Sequence, residues 1–146
     1  MADKFRILLV DDDTIIIKTL KPILEDEGYI VDTAENGKEA VNKSNIHFYN
    51  IAIIDWKLPD TEGTKLLGHL KETIPRMKKI MLTGFPSMQN AIDSVNSQAD
   101  AYFQKPSSTE TLLKRIKDLL NQQQEERKYS EEKVSEFIQT RVKEFS

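Results

Sequence analysis

The chain contains no cysteine and no apolar run long enough to cross a membrane. Without cysteine there is no disulfide framework and no thiolate metal site, so a bound metal ion would need oxygen or histidine ligands. A membrane-spanning helix needs about 20 predominantly apolar residues, and the N-terminal segment lacks the apolar core of a signal peptide. We therefore expect a cytoplasmic protein with no membrane insertion.

An excess of positive charge is also missing. The chain has 21 basic and 24 acidic residues and a net charge of −3. Domains that bind nucleic acids usually present a basic face, so we expect no direct binding of nucleic acid. A length of 146 residues fits one domain with a single buried core and a short appendage.

Five short apolar runs alternate with segments of helical periodicity. The runs are FRILLV at 5–10, YIVDTA at 29–34, IAIID at 51–55, KIMLT at 79–83 and AYF at 101–103. Helices are predicted at about 14–27, 37–45, 64–72, 87–97 and from 109 onward. This strict alternation predicts an α/β domain in which helices cover both faces of a parallel sheet.

Polar residues stand directly after four of the five predicted strands. They are Asp11, Asp12 and Asp13 after the first, Asp55 at the end of the third, Thr83 at the end of the fourth and Lys105 after the fifth. Ligands of parallel α/β sheets bind beyond the carboxyl ends of the strands, where these side chains would meet. Each residue alone is a common turn or capping residue, so the prediction of a site rests on their joint placement.

The chemistry of this set is that of phosphoryl transfer. Three carboxylates in one pocket repel each other unless a divalent cation lies between them, and Mg²⁺ prefers such oxygen ligands. Asp55 is the candidate nucleophile, and the Lys105 ammonium would neutralise charge on the phosphoryl oxygens. The Thr83 hydroxyl could donate to a phosphoryl oxygen and so bias a conformational equilibrium.

The segments LLVDDD, DWKLPDTEG, MLTG and YFQKP resemble the four signature segments of response-regulator receiver domains, over about residues 4–120. The resemblance implies a doubly wound sheet in the flavodoxin-like strand order 2-1-3-4-5. It also implies a two-component pathway, in which a sensor histidine kinase phosphorylates the domain and a downstream output protein or domain responds. The chain would then catalyse only its own phosphotransfer and dephosphorylation.

The same resemblance assigns roles to single residues. Asp12 would be a direct Mg²⁺ ligand and Asp11 would act mainly through water. Asp55 would be both phosphoacceptor and metal ligand, the backbone carbonyl of Lys57 would complete the metal site, and Lys105 would pair with the phosphoryl group.

Further positions follow from the resemblance as well. Thr83 and Tyr102 would form a switch that alters the surface of the fourth helix, fifth strand and fifth helix. The bond before Pro106 would be cis. Lys57 and the bulky Phe85, by contrast, depart from the commonest choices of that family. From its size we expect Phe85 to shield the phosphate from water, which the rate of phosphate loss from a Phe85→Glu variant tests.

After Leu120 the composition changes. Residues 121–133 are almost wholly polar, and apolar residues resume at helical spacing from Val134. We predict a receiver domain at 1–120 and, at 121–146, a helical extension that serves as a linker or dimerisation segment. A homodimer would form through this helix or through the switch surface.

Three other interpretations remain open at this stage. Asp11 to Thr14 also approximates the nucleophile motif of phosphohydrolases of the haloacid dehalogenase type, in which Asp11 would be phosphorylated. The chain could instead be the N-terminal part of a longer regulator. It could also be a receiver-shaped interaction module that takes no phosphate.

Overall fold

In a computed structural model the chain is described over residues 4–84, 87–96, 98–105 and 108–144. The elements alternate in the order β1 (Arg6–Val10), α1 (Thr14–Asp26), β2 (Ile30–Ala34), α2 (Gly37–Ile46), β3 (Ile51–Asp55), α3 (Gly63–Leu67), β4 (Lys78–Thr83), α4 (Met88–Asn96), β5 (Ala101–Gln104) and α5 (Thr109–Glu144). The five strands are parallel and lie in the order β2-β1-β3-β4-β5. The predicted fold class and strand order are confirmed.

Alternate residues of the strands enter two hydrophobic cores, one on each face of the sheet. In β1, Leu8 and Val10 pack with residues of α2 and α3, whereas Ile7 and Leu9 pack with residues of α1 and α5. All residues of β3 are buried, because side chains that point to either face meet a layer of helices. This explains why the central strands are continuous apolar runs in the sequence.

Three helix ends carry the capping residues that the sequence predicts. The side chain of Asn36 accepts from Glu39 N at 2.8 Å, and Ser87 Oγ accepts from Asn90 N at 3.0 Å. Gly28, which follows α1, has a φ of +95°, a conformation that glycine adopts without strain.

The helix predicted at 64–72 is shorter in the structure. α3 ends at Leu67, and Gly68 N and His69 N make only three-residue turns to Lys65 O and Leu66 O. Lys79 Nζ lies 3.1 Å from Leu67 O and satisfies a terminal carbonyl of the helix. Because Lys79 is distant in sequence, local periodicity does not reveal this end.

The helix α5 continues without a break from the body of the domain to Glu144. A helix of 36 residues is about 54 Å long, so its second half extends past the sheet. Five of its apolar side chains are more than half exposed: Tyr129, Val134, Phe137, Ile138 and Val142. The predicted helical extension is thus present. Over the described ranges, no helix is both long and apolar enough to cross a membrane.

Polar contacts join the first part of this extension to the amino ends of the strands. The fully buried Gln123 donates to Asn50 O at 2.9 Å and to Arg76 O at 2.8 Å, and it accepts from Asn50 Nδ2 at 2.9 Å. One turn later, Glu126 accepts from the buried Lys78 Nζ at 2.9 and 3.1 Å. The helix therefore leaves the domain in a direction fixed by the sheet.

Candidate functional site

An open cleft lies at the carboxyl ends of β1, β3 and β5. Its lining consists of Asp11, Asp12, Asp13, Asp55, Lys57, Leu58, Pro59, Gly84 and Lys105. Five of the predicted site residues, namely Asp11, Asp12, Asp55, Lys57 and Lys105, are therefore brought together.

Hydrogen bonds to neighbouring strands hold the residues at these strand ends. Asp11 N donates to Ala34 O at 3.0 Å, which continues the pairing of β1 with β2 by one residue. Lys105 N donates to Thr83 O at 2.6 Å and continues the pairing of β5 with β4 in the same way. The sheet thus fixes the backbone at both acidic and basic positions of the cleft.

Three carboxylates and one ammonium meet in the cleft. Asp11, Asp12 and Asp55 each offer a carboxylate oxygen, and these oxygens all lie within 4.8 Å of one another. Lys105 Nζ lies 2.7 Å from Asp11 Oδ2 and 3.1 Å from Asp55 Oδ1. One ammonium offsets only part of the charge of three carboxylates, so the donor set fits a divalent cation with oxygen ligands.

The closeness of these charged groups shifts the pKa values of Asp55 and Lys105. Burial, together with the negative charge of Asp11, raises the pKa of Asp55 to about 6, although Lys105 acts in the opposite direction. Burial lowers the pKa of Lys105, but hydrogen bonding to Asp11 and the charges of Asp11 and Asp55 outweigh it, so the pKa is raised. Lys105 therefore keeps its ammonium form, while ionisation of Asp55 is less favourable than that of a solvated aspartate.

The third aspartate of the triplet has a different role. Asp13 Oδ1 accepts from Ile15 N at 2.9 Å and caps α1, while Asp13 N donates to Asp11 Oδ1 at 2.9 Å. Asp13 therefore fixes the start of α1 and helps to orient Asp11, and it stands beside the cluster of Asp11, Asp12 and Asp55.

The two predicted switch residues lie behind the cleft rather than in its lining. Thr83 is fully buried at the end of β4 and precedes Gly84, which does line the cleft. Tyr102 pairs with Met81 in the sheet and packs against the core on the α2 and α3 face. Its hydroxyl is buried and has no hydrogen-bond partner in the part of the chain that the structure describes.

Sequence reasoning missed three residues of the lining: Leu58, Pro59 and Gly84. All three stand within the signature segments DWKLPDTEG and MLTG, so their proximity to Asp55 and Thr83 was the available signal. The predictions for Phe85 and for the bond before Pro106 lie outside the described residues.

Comparison with known proteins yields a consistent set of relatives. The family model described as "Response regulator receiver domain" matches residues 7–117. The virulence transcriptional regulatory protein PhoP of Salmonella typhimurium is 33% identical over 115 residues, which cover 79% of this chain and 51% of PhoP. The chain thus spans about half the length of this relative.

Solved structures agree in fold. A CheY-like receiver domain protein from Methanospirillum hungatei is 47% identical with a TM-score of 0.80, covering 85% of this chain and 99% of that one. A response regulator from Burkholderia pseudomallei, solved with a phosphorylated aspartic acid, a calcium ion and citrate, is 31% identical with a TM-score of 0.69. That match covers 76% of this chain and 65% of the other.

The matched family segment contains every residue of the acidic cluster together with Thr83, Tyr102 and Lys105. It also spans all the strands from Ile7 and the first turns of α5, including the core residues Leu112 and Ile116. Sequence, fold and cleft therefore agree, and the chain belongs to the response regulator receiver domain family of two-component signalling.

Proposed function

We propose that this receiver accepts a phosphoryl group on Asp55 from a sensor histidine kinase, in a reaction that depends on Mg²⁺. The observation that carries the proposal is the contact of Asp55 Oδ1 with Lys105 Nζ at 3.1 Å, in a cleft that also holds Asp11 and Asp12. Asp55 is the member of the cluster at the end of the fully buried central strand β3. Its strand is therefore held by β1 on one side and by β4 on the other.

In the proposed reaction a carboxylate oxygen of Asp55 forms a bond to phosphorus. The phosphorus–nitrogen bond of a phosphohistidine breaks, and the leaving imidazole takes up a proton. Lys105, held by Asp11, stays charged and attracts the phosphoryl oxygens throughout. Hydrolysis of the acyl phosphate by water would return the site to its starting state.

Asp12, Asp55 and the Lys57 backbone carbonyl would hold the ion, with Asp11 acting through water. A bound cation would neutralise the negative charge of the carboxylates and of the phosphoryl oxygens. This assignment is supported by the mutual approach of the three carboxylates within 4.8 Å and by the presence of Lys57 in the cleft lining.

The direct test uses acetyl phosphate as a small-molecule donor. Wild-type protein incubated with acetyl phosphate and Mg²⁺ should gain the mass of one phosphoryl group, measured on the intact chain. The same incubation with EDTA should give no gain, because the repulsion among three carboxylates is then unrelieved. No gain in the presence of Mg²⁺ would contradict the proposal and favour an interaction module that takes no phosphate.

We further propose that Thr83 and Tyr102 couple the phosphate to the surface of α4, β5 and α5, to which a downstream output protein or domain would bind. The buried Tyr102 hydroxyl has no hydrogen-bond partner among the described residues, and such a hydroxyl is unfavourable by about 1–3 kcal/mol, which lowers the energy needed to move this side chain. The exposed apolar side chains of α5 form a stripe that offers a second association surface, which would join two copies of the chain: Tyr129, Val134, Phe137, Ile138 and Val142.

One experiment separates the two surfaces. Sedimentation velocity should show that Phe137→Lys weakens any self-association, whether or not the protein is phosphorylated, since the charge disrupts the stripe on α5. Thr83→Ala should abolish only the part that depends on phosphate. Equal association of wild type and Phe137→Lys under both conditions would contradict dimerisation through α5.

A further inference from the structure

The loop between β3 and α3 forms one wall of the cleft. Lys57, Leu58 and Pro59 all line the cleft, and they belong to a closed loop at residues 56–62. Gly63 N donates to Trp56 O at 2.6 Å, and Leu58 N donates to Thr61 O at 3.0 Å. These bonds close the loop on itself.

The base of this loop is pinned directly behind the proposed nucleophile. A Cβ atom on Gly63 would collide with the backbone oxygen of Asp55 and lie 2.7 Å from Met81 Cε, so only glycine fits there. The internal bonds and this close approach fix the base of the loop. They do not tie its tip to the rest of the domain.

An external contact holds the tip. Asp60 Oδ1 accepts from Gly37 N at 2.8 Å, and Asp60 Oδ2 accepts from Lys38 N at 3.0 Å. These are N–H groups of the first turn of α2, which have no partner within the helix. Asn36 already satisfies Glu39 N, so two side chains from different segments share the cap of α2.

Charge and packing both match this contact. The hydrogen bonds from Gly37 and Lys38 lower the pKa of Asp60, as expected for a carboxylate at the positive end of a helix. A Cβ atom on Gly37 would lie 2.6 Å from Thr61 Cγ2 and 3.3 Å from Asp60 Oδ1. The loop tip therefore rests close on the backbone of α2, where a side chain in place of Gly37 would have to displace Thr61.

We infer that Asp60 is a positioning residue for the metal site: by binding the first turn of α2, it holds the segment 57–59 against the cleft. The inference rests on the proposed function, because it concerns the wall that supplies the Lys57 carbonyl. The start of α2 follows β2 closely in the chain, and through this contact it supports residues 57–59, which line the same cleft as Asp11 and Asp12. Outer contacts of this kind set metal affinity by fixing the ligands.

The test is the Mg²⁺ dissociation constant, measured by the fluorescence of Trp56, the one tryptophan in the chain, and by amide NMR shifts. Asp60→Ala should weaken Mg²⁺ binding about tenfold, since outer-shell substitutions typically cost 10- to 100-fold and one ligand of several is loosened here. Asp60→Asn keeps one acceptor oxygen and should fall between Asp60→Ala and wild type. Asp118→Ala, an equal charge change at an exposed position on α5, should leave the constant unchanged.

Salt separates positioning from simple loss of charge. A long-range effect of the missing carboxylate should shrink between about 0.1 M and about 1 M salt, whereas a displaced ligand weakens binding equally at both. An Asp60→Ala variant that binds Mg²⁺ as wild type does, or whose defect vanishes at high salt, would overturn the inference. Absence of Mg²⁺ binding by wild type would overturn the proposed metal chemistry and this inference with it.

Discussion

The Asp55→Asn variant is expected to gain no phosphoryl group from acetyl phosphate and Mg²⁺, while wild type gains one. A carboxamide keeps the size of the side chain but is not a nucleophile toward phosphorus, and it offers a weaker metal ligand. The measurement is the intact mass, followed by alkaline treatment, because an acyl phosphate is labile to alkali. The expected loss is complete.

Two matched substitutions make this result specific. Asp13→Asn is the same chemical change in the same cleft, yet it should still gain one phosphoryl group, because Asn also caps helices well. Asp11→Asn should reduce uptake, since Asp11 holds Lys105 at 2.7 Å. A label that persists in Asp55→Asn but disappears in Asp11→Asn would instead identify Asp11 as the nucleophile, as in a phosphohydrolase of the haloacid dehalogenase type.

The stability of Asp55→Asn, compared with wild type at several pH values, shows whether the variant is folded. The pKa of Asp55 is raised to about 6, so ionisation of Asp55 destabilises the metal-free fold as pH rises from about 4 through 6. At pH 7 in EDTA, Asp55→Asn should therefore be more stable than wild type, by on the order of 2 kcal/mol. The difference should vanish below about pH 3, where Asp55 is protonated in both the folded and the unfolded state. Urea unfolding at several pH values measures it, and a pH-independent difference would contradict this origin.

The acidic cluster could be predicted from sequence because its members stand at the carboxyl ends of two strands, β1 and β3, of a parallel sheet. Once the order of the strands is known, the carboxyl ends of β1 and β3 are neighbours, and Asp11, Asp12 and Asp55 must approach one another. The continuous apolar runs of the central strands and the helical spacing between them predict a parallel sheet covered by helices, and the family resemblance supplies the order of its strands. The chemistry then follows from residue types alone.

The contacts that the sequence did not reveal join residues with no shared local pattern. Asp60 follows a proline in a loop and has the appearance of a turn residue, but its partners Gly37 and Lys38 lie at the start of α2, more than 20 residues earlier in the chain. The hydrogen bond of Gln123 to Asn50 joins positions 73 residues apart. Gln123 stands in a run of glutamines that appears solvated in the sequence, so only the packing of α5 on the sheet distinguishes it from its neighbours.

Replacing Gln123 is expected to destabilise the whole domain. Gln123→Leu roughly preserves volume but removes the partners of Arg76 O and Asn50 Nδ2, while Asn50 O keeps its hydrogen bond from Lys78 N at 3.0 Å. A buried polar group that loses its partner costs about 1–3 kcal/mol, so the free energy of unfolding should fall by about 3 kcal/mol. Gln122→Leu is the matched control, because Gln122 is exposed and such substitutions usually change stability by less than about 0.5 kcal/mol.

Chemical unfolding of both variants measures the difference in their free energy of unfolding. This difference should be large because of where the helical extension lies. Gln123 and Glu126 lie past the predicted domain boundary at 120, yet both bind groups at the amino ends of the strands. A chain that ends at Leu120 would lose these contacts together and leave Lys78, only 2% exposed, without its carboxylate partner. Equal stability of Gln123→Leu and Gln122→Leu would show that water replaces the lost bonds, and that the receiver folds independently of its extended helix.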